Sequence, residues 1–143
     1  MIALSVLMLV LASCSPVGQA PRAAAPAARE AAVAISASEL EQQYGARVSL
    51  LAVTAVGGLV DLRMQILDAA KAQQLFQGHA PSLNVEGSAV VLAAPEDSQA
   101  QVRQLQDGGG VFVMYPNVRT VLKRGDKVTV DFGNVQLQSI VAK

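Results

Sequence analysis

The sequence predicts a mostly β fold: a small antiparallel β-sandwich with one or two short helices, set behind a disordered tether. Three observations lead there. Apolar and polar residues alternate at period two over residues 59–67 and 128–141, the spacing that turns one face of a strand inward. Gly57-Gly58 and Gly133-Asn134 lie between such runs and suit tight hairpins that need positive φ. With the remaining apolar runs included, about seven short strands recur at spacings of roughly 8–12 residues, the pattern of two packed antiparallel sheets. The expected organisation is a signal over 1–13, a modified cysteine and linker over 14–35, and the folded domain over 36–143.

Residues 2–12 form an apolar run interrupted only by Ser5. It is too short to span a bilayer, which takes roughly 20 apolar residues, and it fits the apolar core of a secretory signal, about 7–15. Leu11-Ala12-Ser13-Cys14 ends the run with small residues and the one cysteine of the chain. These four positions resemble the lipobox of bacterial lipoproteins, a resemblance that covers residues 1–14 only. It implies cleavage before Cys14, diacylglycerol on the Cys14 sulfur and an acyl chain on the new amine. It also implies a membrane-anchored, exported protein. Ser15 is similar to the outer-membrane sorting pattern of that class, which places the domain in the periplasm. No Lys or Arg precedes Arg22, whereas such signals carry a basic first segment, so the start lies upstream of Met1 or the signal is weak. A single cysteine has no partner for an internal disulfide, in keeping with export and a capped thiol.

Pro16, Pro21 and Pro26 then punctuate an Ala-rich stretch without apolar periodicity. Each proline removes a donor and disfavours helix at the residue before it. The stretch reads as an extended linker spanning at most about 60 Å at the polyproline rise of roughly 3.1 Å per residue. Residues 29–34 have the composition for one short helix.

Within the domain, Ser38 ahead of Glu39 and Glu41 suits a helix N-cap, and Gly45 a stop after Tyr44. Residues 47–54 read as a strand. In the next, Val60, Leu62, Met64 and Ile66 point inward and Asp61, Arg63 and Gln65 outward. Residues 68–76 suit a helical turn, 82–85 and 89–92 short strands, and 96–106 a polar loop or short helix. Val111-Phe112-Val113-Met114-Tyr115 is apolar on both faces and is assigned to the centre of a sheet. Val128, Val130 and Phe132 alternate with Thr129 and Asp131, and Val135, Leu137, Ser139 and Val141 form the returning strand. In outline this resembles an immunoglobulin-like or fibronectin-like module, without the Cys…Trp…Cys signature of true immunoglobulin domains. A small open barrel is the alternative.

Composition narrows function by exclusion. Eleven Lys+Arg balance eleven Asp+Glu, and aromatics are 3% with no Trp, which argues against a nucleic-acid partner by charge and by base stacking. With one His and one Cys, a zinc site built from several of them is excluded, and Ser-His or Cys-His catalysis has only His79 to draw on. No cofactor is expected. His79 with Met64 or Met114 is a conceivable soft copper site, although methionines at inward strand positions are ordinary core filler. Asp61 and Arg63 share a strand face and suit a solvated ion pair or a binding groove. Gly108-Gly109-Gly110 lacks the Gly-Lys-Ser/Thr of a phosphate loop. Arg124-Gly125-Asp126 has the adhesion tripeptide, and equally a polar turn. Arg119, Lys123, Arg124 and Lys127 make one end slightly basic, offset by Asp126 and Asp131. The leading expectation is a non-enzymatic binding or accessory module with a protein partner in the envelope. The alternative is a periplasmic carrier of a small ligand or copper.

Overall fold

A computed structural model describes residues 32–143, and Cys14 with the signal and most of the linker lies outside them. Two sheets form a β-sandwich. The larger has strand order β1-β8-β7-β4-β5 and the smaller β2-β3-β6. The strands are β1 (Val33–Ile35), β2 (Ala46–Thr54), β3 (Leu59–Ile66), β4 (Ser82–Val85), β5 (Val91–Leu92), β6 (Gly110–Pro116), β7 (Lys127–Asp131) and β8 (Val135–Val141). Three helices connect them: α1 (Ala37–Tyr44), α2 (Ala69–Phe76) and α3 (Asp97–Arg103). The polar stretch after Pro95 is therefore helical in part. None of the described helices is long and apolar enough to cross a membrane.

The large sheet begins upstream of Ser36. Val33–Ile35 pairs in parallel with Val135, Gln136 and Leu137, and buries Ile35. Residues 33 and 34, whose composition suits a helical turn, are strand because an open edge of β8 lies beside them. The cap of α1 also moves. Ser36, not Ser38, is the N-cap: its hydroxyl accepts from the Glu39 N–H at 3.3 Å, and the Glu39 carboxylate accepts the Ser36 N–H at 2.7 Å. Ser36 and Ser38 each stand three residues before a glutamate, and the reciprocal bonding closes on the first pair, Ser36 with Glu39. Gly45 ends α1 with φ +57°, where a Cβ would meet the Asp68 Cβ at 2.6 Å.

Two bulges explain where period two fails. Along β2, Val48 faces Met64 and Leu50 faces Arg63, so Ser49 is an extra residue. Leu51 and Val53 thereby turn inward while Leu50 turns outward. Along β7 and β8, Val128 pairs with Ile140 and Val130 with Leu137, so Thr129 faces both Gln138 and Ser139. Ser139 and Val141, which strict alternation from Leu137 would turn inward, are exposed, and Ile140 takes the inner position. One inserted residue reverses every later side chain.

The core lies between the sheets and is closed by the helices. Val60, Leu62, Met64, Val111, Val113 and Tyr115 from the small sheet meet Leu83, Val128, Val130 and Leu137 from the large one. Leu40, Leu75, Phe76 and Val102 come from the helices, with Phe76 edge-on to Phe132 at 5.6 Å. The Tyr115 hydroxyl donates to the Pro81 carbonyl at 2.7 Å, and burial raises its pKa well above the ordinary phenol value. The sheets are also stitched at one side: the Lys143 N–H donates to the Leu51 carbonyl and the Val53 N–H to the Lys143 carbonyl, both at 2.9 Å.

Candidate functional site

The small sheet has an inner face in the core and an outer face that nothing in the domain covers fully. Register sets four rows across the outer face: a polar one, Arg47–Gln65–Gly110, and then Leu50–Arg63–Phe112, Ala52–Asp61–Met114 and Thr54–Leu59–Pro116. Most side chains of the last three rows are apolar. Phe112 is 53% exposed and Met114 43%. β6 is an edge strand, not a central one. A strand apolar on both faces suits a buried centre, but here one face fills the core and the other meets solvent.

The middle of this face holds the one ion pair that the sequence singled out. Asp61 points outward as expected but is only 4% exposed. It sits on the central strand between Ala52 and Met114, and Arg63 folds over it, with Nε at 2.9 Å and a terminal guanidinium nitrogen at 2.7 Å from one carboxylate oxygen. That hydrogen bond, and then the charge of Asp61, raise the Arg63 pKa. The guanidinium carbon also lies 5.9 Å from the centre of the Phe112 ring. The face therefore presents a shielded carboxylate, a half-exposed cation and a rim of Leu50, Leu59, Phe112, Met114 and Pro116.

The outward edge of β6 is partly blunted. The Phe112 N–H points away from β3 and donates to the Gln101 side chain at 3.0 Å, and Pro116 has no N–H to offer. Met114 carries the next outward donor in the alternation. Such treatment limits runaway edge pairing while leaving the side chains accessible.

A second feature lies at one end of the sandwich. Four residues, Ala55 to Gly58, connect β2 to β3, and positive φ falls on Ala55 (+49°), Val56 (+55°) and Gly57 (+89°) rather than on both glycines. The pairs Leu51–Leu62 and Val53–Val60 fix the register and leave the turn to start at Ala55. A neighbouring loop repeats the conformation at Arg119 (+57°) and Thr120 (+48°). For β-branched Val56 and Thr120 this conformation costs on the order of 1 kcal/mol or more each. Asn117, 5% exposed, holds both loops: its amide donates to the Gly57 and Leu122 carbonyls at 2.8 Å and accepts from the Leu122 N–H at 3.0 Å. A cleft of about 450 Å³ opens between them, and beside it the buried Thr54 hydroxyl has no partner. Sequence patterning misses Asn117, Val56 and the exposure of Phe112.

The remaining candidates separate. His79 is exposed after α2, where its N–H donates to the Phe76 carbonyl, and it lines a cleft of about 410 Å³ with Gln99, Asp131 and Asn134. Met64 is buried on the inner face of the small sheet and Met114 exposed on the outer, so the two thioethers cannot converge on one ion. Among the described residues no group of three or more His, Cys, Asp or Glu is placed to hold a metal. Gly108 and Gly109 wrap the end of β3 by backbone bonds to Ile66, as a turn into β6. Arg124-Gly125-Asp126 is likewise a turn: the Asp126 carboxylate accepts the Lys123 N–H at 2.8 Å. Compared with family models, curated proteins and solved structures, the chain matches none.

Proposed function

We propose that this chain is a lipid-anchored envelope protein whose β-sandwich is a non-enzymatic binding or accessory module, docking a protein partner on the outer face of the small sheet. The observation that carries this reading is the exposed Phe112 and Met114 around the shielded Asp61–Arg63 pair. An apolar sheet face with one fixed charge pair supplies desolvation energy and a register mark, the two parts that a protein interface needs. The anchor rests on the resemblance of Leu11-Ala12-Ser13-Cys14 to a lipobox, with outer-membrane attachment facing the periplasm. Diacylglycerol and an acyl chain on Cys14 hold it to the membrane.

Native mass spectrometry of the protein, extracted in mild detergent from its host's membranes, tests both halves. The expected mass lacks residues 1–13, carries acyl chains on Cys14 and includes a co-isolated protein that Phe112→Ser with Met114→Ser removes. An unprocessed, unmodified mass contradicts the anchor. A companion that survives the double substitution contradicts the docking face.

A further inference from the structure

We infer that the paired end loops, residues 55–57 and 118–120, are a contact for the surface of an anionic bilayer. Val56 is 107% exposed and Val118 60%, the two most exposed large apolar side chains after Val33 is set aside at the opposite end. Both sit at the tips of loops whose backbones carry positive φ at non-glycine residues, conformations that folding alone does not favour. Asn117 bonds across to Gly57 and Leu122, so the two tips are held as one rigid unit.

Charge completes the surface. Arg119, Lys123 and Arg124 surround the tips, are exposed, and enter no ion pair among the described residues. The nearby acid Asp126 is turned onto the Lys123 backbone. Apolar tips ringed by free cations match a bilayer interface, where the valines enter the headgroup region and the cations stay at phosphate depth. A soluble polyanion would use the cations but would leave both valines in water.

The tips lie towards the end of the domain away from Val33. The Val33 N–H bonds the Asn134 carbonyl at the start of β8, whereas Lys143 meets β2 next to the Val56 turn. The tips and the entry of the linker are thus separated by the length of β8, roughly 20 Å at about 3.3 Å per residue. Contact at the tips does not require acylation of Cys14.

The chain has no Trp, so Val56→Trp gives a single reporter in the full-length protein. The protein is mixed with phosphatidylcholine vesicles with and without phosphatidylglycerol. The comparison of the two vesicle kinds isolates the contribution of the anionic headgroups. The expected result is a shift of Val56→Trp emission to shorter wavelength on the anionic vesicles alone, with no shift for Phe112→Trp. Adding Arg119→Gln, Lys123→Gln and Arg124→Gln raises the anionic-lipid concentration needed for the half-maximal shift by roughly five-fold per charge removed. Equal Val56→Trp emission on both vesicle kinds overturns the inference. So does a shift produced by soluble polyphosphate and not by vesicles, which would assign the loops to a polyanion.

Discussion

The two faces of the small sheet are built from the same kinds of residue and treated in opposite ways. On β6, Val111, Val113 and Tyr115 are at most 1% exposed, while the alternating Phe112 and Met114 are 53% and 43% exposed. The inner row is explained by folding, because it fills the space against the large sheet. The outer row is not, since nothing in the domain buries it and an exposed aromatic gains nothing for stability. What distinguishes the faces is the Asp61–Arg63 pair, held in a fixed geometry on the outer one. The outer face thus has the features of a surface kept for something else.

That contrast can be broken from either side. On the inner face, Leu62→Ala should cost about 3–4 kcal/mol, the range for deleting a fully buried leucine, measured by urea unfolding. Asn117→Ala should cost about 2 kcal/mol, because it leaves buried backbone groups at both end loops unpaired, and should expose residues 55–57 and 118–120 to protease. Arg63→Met, which uncovers the Asp61 carboxylate, should lower the unfolding midpoint by less than either. Phe112→Ser and Met114→Ser should stay within about 0.5 kcal/mol of the parent while abolishing partner capture. A loss as large as that of Leu62→Ala would make the outer face structural and end the comparison.

The smallest effect concerns the helix that closes the core. Hydrogen bonds from the Ser36 backbone and then its side chain hold the Glu39 carboxyl below the ordinary carboxylate pKa. A depressed folded-state pKa stabilises above the unfolded value and is lost as pH falls through the folded value. The thermal midpoint of the parent should therefore fall towards that of Glu39→Gln on acidification, with the difference largest near neutrality.

Much of the fold is legible in the sequence, and the failures have physical causes. The inward set Val60, Leu62, Met64 and Ile66 is readable because β3 is central and unbulged. Period two misleads on the returning strand after Leu137, since a bulge at Gln138 and Ser139 leaves no local mark and reverses the side chains beyond it. Composition puts β6 in the centre because it cannot distinguish a strand buried on both faces from an edge strand with one face open. Ser36 and Ser38 both stand three residues before a glutamate, so spacing does not choose between them; the helix starts at Ala37, which gives the cap to Ser36. Asn117 is invisible to local patterning, as its partner Gly57 lies 60 residues away.

The most direct test of the central claim is photo-cross-linking in the native envelope, with a photoreactive phenylalanine analogue at position 112 and, separately, at exposed position 138 on the large sheet. A discrete adduct to one protein from position 112 and none from 138 is the result this account requires. No adduct from 112, or the same adducts from both positions, would show that the outer face of the small sheet is not a docking surface.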